Sequence, residues 1–346
     1  MPGLKLDALR GKTALAQRWK CDAGDYVAAL GISKDGRLAI AGAGDGQVLG
    51  IELETGCERF RHLAHEGGVF GVSLSHDGTQ FATCGQEPNA KLWSANGDLL
   101  RELPGGGAQW VEHVSWAPSG GRIATAAGRK VRVWTSSDEL PLEIEPLPST
   151  VSDLAWRADG TALAATCYGG VYIWPFVSGA KARRLEWKGS LISLAWSPDA
   201  KVIACGSQDN SVHFWRLASG NDSQMSGYLS KPKALAWDSE SKLLATAGDS
   251  HVTVWDFRGK GPEGTRPIHL EGHKKICTRL AFSPRKGVLA SGSLDPTVLL
   301  WEPRRGTQPT RYAHLKDEVT ALAWHPEHLG LLGGDASGHL CFWDVN

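Results

Sequence analysis

Few residues in this sequence combine the types and the spacing that a chemical site requires. Gly42-Ala43-Gly44-Asp45-Gly46 has the glycine content of a phosphate-binding loop. It lacks the G-x-G-x-x-G spacing, however, and no helix is predicted after it to supply a dipole. The stretch therefore favours a tight hairpin, in which Asp45 is an ordinary turn residue.

A metal site is the next possibility, because His325, Glu327 and His328 lie within four residues and Asp335 follows. Pro326 marks the segment as a turn, and no cysteine or further histidine is close in sequence. Solvated turn residues are the favoured interpretation. We expect neither a bound metal nor a cofactor.

The seven cysteines show no redox or ligand motif, since the number is odd and no Cys-x-x-Cys pair occurs. We interpret five of them as small buried apolar residues on strands: Cys84, Cys167, Cys205, Cys277 and Cys341. No Ser-His-Asp set can be inferred from residue order alone. The sequence thus gives no positive indication of catalysis, and we expect a protein that is not an enzyme.

Charge and hydropathy also exclude several classes of protein. Lysine plus arginine number 37, as do aspartate plus glutamate, so the formal charge is zero. This balance does not favour nucleic acid or an anionic membrane as a partner. No window is apolar enough for a membrane span, and Met1 to Arg18 has no apolar core typical of a signal peptide. We expect a soluble cytoplasmic protein.

The elements that would position any site come from an internal repeat that accounts for almost the whole chain. Seven apolar stretches end in tryptophan at spacings of 40 to 46 residues: Trp93, Trp134, Trp174, Trp215, Trp255, Trp301 and Trp343. Val48-Leu49-Gly50-Ile51 is a degenerate first copy one repeat earlier. The chain therefore contains eight copies.

A second apolar series precedes each of these stretches and ends in a turn. Leu154-Ala155-Trp156, for example, is followed by Arg157-Ala158-Asp159-Gly160, whose last two residues favour chain reversal. A short strand of small residues comes next, such as Leu289 to Ser293, and a weaker fourth strand follows the tryptophan, such as Leu99 to Leu103. Four short antiparallel strands per repeat predict an all-β fold, an eight-bladed β-propeller.

The repeats resemble those of the WD (WD40) family. The seventh copy carries the motifs most completely, with Gly272-His273, Phe282-Ser283-Pro284, Ser291-Gly292-Ser293, Asp295 and Trp301-Glu302. The resemblance covers roughly residues 14 to 346. It implies that tryptophans on the first and third strands pack between neighbouring blades and serve the fold.

The resemblance also implies a hydrogen-bonded tetrad inside a blade. In the seventh copy its members would be His273, Ser291, Asp295 and Trp301. The second copy would use the corresponding residues His65, Thr83, Glu87 and Trp93, with glutamate in place of aspartate. Other copies are incomplete, and Trp187 occupies the histidine position of the fifth.

The family resemblance implies a binding surface on the upper face of the propeller. On this face the first strand of each blade begins and the second strand ends. Its residues here would be Tyr26, Phe70, Gln86, Trp110, Glu112, Ile192, Gln208, Lys231, Lys233, Ile276 and Glu318. Tyr26, Phe70 and Trp110 would form an aromatic arc. Lys231 and Lys233 would give a basic sector with Lys274 and Lys275 nearby, across the ring from that arc. The alternative for the aromatic side chains is that they only fill the centre of the fold.

We therefore expect a non-catalytic scaffold that binds a protein or peptide on this face, with the lysines suited to an acidic residue of the partner. The competing hypothesis is a metal-handling accessory protein or a propeller enzyme with its site in the central channel, near His113 and Asp153. The sequence is consistent with a monomer that acts alone or within a larger complex.

The two ends of the chain predict how the fold is completed. The final stretch, His339 to Asn346, reads as the third strand of the eighth blade, whose fourth strand is missing. Ala14 to Lys20 reads as an orphan strand with no preceding blade. We predict that it pairs with Gly338 to Asp344 and covers the exposed edge. This organisation gives an N-terminal tail, residues 1–13, and a single propeller domain, residues 14–346.

Overall fold

The computed structural model describes residues 9, 11–135, 140–259, 261–285 and 287–345. Within these residues every regular element is a β-strand, and none is a helix with the length and apolar character that a membrane span requires. The chain divides into two compact units, Ala23–Trp196 and a second formed by Met1–Asp22 with Ser197–Asn346. The predicted tail, residues 1–13, lies largely outside the described residues.

The strands begin with β1 (Thr13–Ala14) and β2 (Ala16–Asp22), which belong to the second unit. Four blades and the first strand of the fifth follow in the unit Ala23–Trp196. Blade 1 comprises β3 (Val27–Ile32), β4 (Leu38–Ala43), β5 (Gln47–Glu52) and β6 (Glu58–Leu63). Blade 2 comprises β7 (Val69–Leu74), β8 (Gln80–Gly85), β9 (Asn89–Ser94) and β10 (Leu99–Pro104). Blade 3 comprises β11 (His113–Trp116), β12 (Arg122–Ala127), β13 (Lys130–Thr135) and β14 (Leu142–Glu143). Blade 4 comprises β15 (Asp153–Trp156), β16 (Ala162–Pro175) and β17 (Arg183–Ser190). The first strand of blade 5 is β18 (Ala195–Trp196).

The second unit contains the remaining strands. Blade 5 continues with β19 (Val202–Gly206), β20 (Val212–Arg216) and β21 (Asp222–Met225). Blade 6 comprises β22 (Ala234–Trp237), β23 (Leu243–Ala247), β24 (His251–Asp256) and β25 (Ile268–Glu271). Blade 7 comprises β26 (Cys277–Phe282), β27 (Leu289–Ser293), β28 (Thr297–Trp301) and β29 (Arg311–His314). Blade 8 comprises β30 (Val319–Trp324), β31 (Gly330–Asp335) and β32 (His339–Asp344), with β2 as its fourth strand.

The predicted fold class is confirmed, because these sheets are the eight antiparallel blades of a β-propeller. In blade 4 a single continuous strand, β16, takes both the second and the third strand positions. It pairs with β15 through residues up to Thr166 and with β17 from Tyr168 onward. The pairing with β17 shifts register between Tyr168 and Gly170, and Gly169 and Gly170 have φ angles of 98° and 133°, values that glycine adopts without steric cost.

Serine and aspartate side chains close the turn between the first and second strands of several blades. In blade 1, Ser33 Oγ donates to Asp35 Oδ1 at 2.6 Å, and Leu38 N donates back to Ser33 Oγ at 3.0 Å. The hydrogen bond from Ser33 lowers the pKa of Asp35. Gly36 follows with a φ of 70°. The glycine-rich stretch at residues 42 to 46 contains the turn between β4 and β5, the second and third strands of blade 1, as the sequence predicts.

The apolar core lies between adjacent blades. One cluster in the unit Ala23–Trp196 joins Ala124 and Val131 of blade 3 to Leu154 and Trp156 of blade 4. The indole of Trp156 also crosses to the preceding blade, where its Nε1 donates to the carbonyl of Ser115 at 2.9 Å. The first-strand tryptophans thus join neighbouring sheets by packing and by a hydrogen bond.

The N-terminal strand completes blade 8, which confirms the predicted closure. β2 pairs antiparallel with β32, and its Trp19 stacks on Phe342 with ring centroids 5.6 Å apart. Arg18 forms an ion pair with Asp344 at 2.7 Å. The pairing begins two residues later than predicted, at Ala16.

Ala14 has a different partner, because β1 pairs in parallel with β29 of blade 7. Leu15 lies between the two N-terminal strands, and its N–H donates to the carbonyl of Tyr312 at 2.7 Å. Its side chain is buried with Leu315, Trp343 and Val345. Burial of Leu15 therefore divides the predicted single strand into two segments. The first pairs with blade 7 and the second with blade 8.

Candidate interaction surface

The structure brings two predicted surface aromatics together on the upper face of the unit Ala23–Trp196. Phe70 lies in β7 and Trp110 shortly before β11, with ring centroids 6.1 Å apart and planes inclined at 55°. Their neighbours Val69 and Val111 are buried, whereas both rings remain accessible to solvent. Phe70 is 37% exposed and Trp110 49%. The pair is a solvent-accessible aromatic surface.

Tyr26 is equally exposed, at 37%, but it does not join this pair. Its carbonyl accepts from Gly44 N at 2.8 Å, and its N–H contacts the Asp25 carboxylate at 2.7 Å. Among the described residues its ring has no aromatic contact. The predicted arc of three aromatics is thus a pair and a separate tyrosine.

A cavity of about 380 Å³ adjoins Trp110. It is lined by Trp110, Glu112 and Thr150, together with Ala108, Gln109 and Gly128. Glu112 is exposed, and within the described part of the chain its carboxylate forms no ion pair. Gln86 is also exposed. This part of the predicted surface offers aromatic area beside an available carboxylate.

The lysine-rich part of the surface lies in the second unit. Lys231 and Lys233 are exposed, and Pro232 between them is buried. The backbone N–H groups of Lys274 and Lys275 donate to Asp295 Oδ2 at 2.8 and 3.3 Å, so their side chains extend from an ordered turn.

Other predicted surface residues of the second unit differ in exposure. Ile276 is 41% exposed and Gln208 is exposed, whereas Glu318 is only half-exposed. Asp317 is the neighbour of Glu318. A hydrogen bond from Ser337 is the main cause that lowers the pKa of Asp317, and the charge of Lys275 also contributes. Acidic groups therefore interrupt the basic sector. In the other unit, Ile192 is also half-buried.

The blade 7 tetrad contains two of the hydrogen bonds that the family resemblance implies. Ser291 Oγ contacts His273 Nε2 at 2.7 Å and accepts from Trp301 Nε1 at 2.8 Å. His273 Nδ1 lies 3.6 Å from Asp295 Oδ1. Burial would raise the pKa of Asp295, but His273 and the N–H of Lys274 outweigh it and hold that pKa well below its usual range.

In blade 2 glutamate takes the acidic position of the tetrad. His65 Nδ1 lies 3.2 Å from Glu87 Oε2, and His65 Nε2 contacts Thr83 Oγ1 at 2.9 Å. Thr83 also accepts from Trp93 Nε1 at 3.0 Å. Burial, followed by the charge of Lys91, lowers the pKa of His65. The longer glutamate side chain thus completes the same network.

Sequence reasoning missed a third network, in blade 6. Trp255 Nε1 donates to the Tyr228 hydroxyl at 2.8 Å, which contacts Thr246 Oγ1 at 2.7 Å. Tyr228 stands three residues before Lys231, just as His273 stands three before Ile276. Alignment by position could have identified it. A tyrosine therefore replaces the histidine of this blade.

Asp153 and His325, two of the residues named for a channel or metal site, have structural partners. Asp153 Oδ2 accepts from Leu194 N at 2.7 Å, which joins blade 4 to the segment before β18. His325 and His328 stack with ring centroids 3.4 Å apart, and His325 Nδ1 accepts from two backbone N–H groups of its own turn. Asp335 lies at the other end of β31. Across the described ranges, no group of three His, Cys, Asp or Glu side chains could hold a metal ion.

The five strand cysteines are buried, and none forms a disulfide. Burial raises the pKa of the Cys277 thiol to about 12 and that of Cys341 to about 11. These thiols are therefore protonated at neutral pH, as expected of residues that only fill space.

The fold and these networks define a repeat protein of the WD type. The model for the WD domain, G-beta repeat, matches residues 57–94, 97–135, 183–216, 223–256, 264–302 and 306–344, which is more than half of the chain. The chain therefore belongs to the WD40 family. Each matched segment begins at the outer strand of one blade and continues through the next three strands.

Relatives of known name match at moderate identity. Protein HIR1 of Cryptococcus neoformans is 25% identical over 336 residues, covering 79% of this chain and 37% of that protein. The target of rapamycin complex subunit wat1 of Schizosaccharomyces pombe is 31% identical over 157 residues, covering 44% and 49%. The mouse serine-threonine kinase receptor-associated protein is 25% identical, covering 80% and 78%. The chain spans less than half the length of the first two of these relatives.

Among solved structures, the computationally designed Ika8 protein has the same fold. Its crystal structure matches with a TM-score of 0.79 over 97% of this chain and 100% of the Ika8 chain, at 21% identity. At that identity the likeness concerns the fold alone.

Proposed function

We propose that this protein is a non-catalytic scaffold that binds a protein or peptide on the upper face of its propeller. The observation that carries the proposal is the Phe70–Trp110 pair, two large exposed rings in mutual contact beside a cavity of about 380 Å³. Exposed aromatic side chains at the rim of a cavity are typical of the residues that contribute most to interface affinity.

The exposure of Phe70 and Trp110 argues against the alternative that these rings only fill the centre of the fold. A side chain that fills a core has little accessible surface, yet Trp110 keeps about half of its own. The network residues of the same blades contrast with it, since His65 and Thr83 are fully buried. The pair is thus suited to a partner, and the tetrads to the fold.

The names of the relatives support a protein partner in general terms. One is a subunit of the target of rapamycin complex and another is a receptor-associated protein. We propose the same kind of role for this chain, with its lysines Lys231 and Lys233 placed to meet an acidic residue of the partner.

The experiment compares partner capture by the wild-type protein with that by Trp110→Ala and by Lys233→Ala. Leu99→Ala is the matched control, because Leu99 is 50% exposed but lies on the outer strand β10. Loss of capture in the two upper-face variants, at an unchanged melting temperature and with the control intact, supports the proposal. The proposal would be refuted if Trp110→Ala captured as much partner as the wild-type protein, or if its capture fell only in step with a lower melting temperature.

A further inference from the structure

In blade 8 one arginine side chain is held by an aromatic ring and a carboxylate of the same strand. Arg18 Cζ lies 5.5 Å from the centroid of the Phe342 ring. The same guanidinium donates to both oxygens of Asp344, from Nη2 at 2.7 Å and from Nε at 3.2 Å. Phe342 and Asp344 are two residues apart on β32. This spacing therefore combines a cation–π contact with a bidentate ion pair on a single arginine.

Trp110 and Glu112 repeat this spacing in the segment before β11. Val111 between them is fully buried, whereas Trp110 and Glu112 are exposed and line the same cavity. Among the residues that the structure describes, no cation lies over the Trp110 ring and none pairs with Glu112. No arginine of the described chain thus takes the place that Arg18 has in blade 8.

The carboxylate of Glu112 is available because the cations of its own blade are engaged elsewhere. Both cations of β13 have other partners: Lys130 donates to the carbonyl of Gly106, and Arg132 pairs with Glu143. Glu112 is also the one charged residue among those that line the cavity. The charge of the cavity therefore favours a cation from outside the described chain.

The rest of the lining favours arginine over lysine. The side chains of Gln109 and Thr150 line the cavity and offer an amide oxygen and a hydroxyl that can accept further hydrogen bonds. A guanidinium has five N–H donors in one plane, so it can stack on the Trp110 indole while its edge meets these acceptors. A lysine ammonium is compact and strongly hydrated, and it cannot bind a carboxylate in a bidentate manner. Phe70, 6.1 Å from Trp110, extends the apolar wall.

We propose, on the basis of the proposed scaffold function, that the cavity beside Trp110 and Glu112 binds an arginine side chain of the protein partner. The guanidinium stacks on the indole and forms a bidentate ion pair with the carboxylate. The partner then presents an arginine here in addition to the acidic residue that meets Lys231 and Lys233.

The experiment titrates ¹⁵N-labelled protein with the peptide acetyl-Gly-Gly-Arg-Gly-Gly-amide and with the same peptide carrying lysine or the uncharged analogue citrulline. The indole resonances are followed by NMR, and that of Trp110 is assigned by its loss in Trp110→Phe. We expect a saturable shift of this resonance with the arginine peptide, weaker binding of the lysine peptide and no saturable shift with the citrulline peptide. Glu112→Gln should bind the arginine peptide about tenfold more weakly, because its charge-assisted hydrogen bonds are lost.

Glu54→Gln is the matched control, because it removes the same charge from an exposed turn after β5 that does not line the cavity. It should bind the arginine peptide as the wild-type protein does. No saturable shift of the Trp110 resonance, equal affinity for the lysine or the citrulline peptide, or unchanged affinity in Glu112→Gln would each overturn the proposed arginine site.

Capture of the native partner distinguishes failure of the arginine site from failure of the scaffold function. Capture that is lost in both Trp110→Ala and Glu112→Gln, at unchanged melting temperatures, supports both proposals. Capture that is lost in Trp110→Ala but kept in Glu112→Gln would contradict the arginine site alone. Capture that is kept in both variants would contradict the scaffold function itself.

Discussion

Trp255 donates its indole N–H to the hydroxyl of Tyr228 at 2.8 Å, and that hydroxyl also contacts Thr246 at 2.7 Å. In blades 2 and 7 the indole and the histidine instead meet at the threonine or serine hydroxyl. The tyrosine of blade 6 thus performs the task of the histidine by a different connection. Burial raises its pKa to about 12, so it remains a neutral phenol at any physiological pH.

This arrangement predicts that Tyr228→Phe lowers the free energy of unfolding by about 1–3 kcal/mol, since it leaves the Trp255 N–H without its acceptor. Tyr228→His should recover part of the loss, because an imidazole at this position can contact Thr246 as His65 contacts Thr83. Urea denaturation of the three proteins gives the measurement. Equal stability of wild type and Tyr228→Phe would show that the network contributes nothing.

The strand closure predicts a large effect from a single side chain of β2. Trp19 is 7% exposed and stacks on Phe342, so Trp19→Ala should lower the free energy of unfolding by about 3–5 kcal/mol. Arg18→Gln is the control, since the half-exposed pair with Asp344 is worth less than about 1 kcal/mol. The reverse order of the two effects in denaturant unfolding would contradict the closure.

Deletion of residues 1–22 tests the same closure at the level of the whole sheet. It removes the partner of β32 and leaves a row of unpaired backbone groups at the edge of blade 8. We expect the truncated protein to aggregate, as measured by light scattering. A monomeric truncation with unchanged melting temperature would be inconsistent with this account.

The buried His65 predicts how stability depends on pH. Burial and Lys91 lower its pKa in the folded protein, so below its ordinary value of about 6.5 the unfolded chain binds more protons than the folded one. This contribution to stability is present above about pH 6.5 and is lost as the pH falls. His213, whose pKa burial also lowers, acts in the same direction.

The measurement compares melting temperatures at about pH 7.5 and about pH 5.5 for wild type and His65→Gln. At the higher pH, His65→Gln should have a lower melting temperature than the wild-type protein. On acidification its melting temperature should fall by less than that of the wild-type protein. His76→Gln is a surface control that should follow wild type at both values, since His76 is exposed. An identical loss on acidification in wild type and His65→Gln would exclude a role for His65.

Much of this fold was predictable because its signals are periodic. The recurring tryptophans, together with the degenerate copy at Val48 to Ile51, indicated the number of blades. The orphan strand Ala14 to Lys20 identified the missing strand of blade 8. The two-residue strand β1 was not predictable. It depends on where Leu15 finds a buried site between blades, and that is a tertiary property.

The candidate surface was predictable in position but less so in detail. Alignment placed Tyr26 and Trp110 at equivalent points and Phe70 two residues further along its own blade, yet only Phe70 and Trp110 make contact. Such contacts depend on loop conformation and on χ angles, which periodicity does not determine.

The most direct test of the proposed scaffold function is site-specific photo-crosslinking in native cells. The photoreactive residue p-benzoylphenylalanine replaces Trp110 in one variant and Leu99 on β10 in the other, two positions of nearly equal exposure. We predict a discrete protein adduct at position 110 that excess wild-type protein competes away, and none at position 99. No adduct at position 110, or the same adducts at both positions, would contradict a binding surface at the Phe70–Trp110 pair.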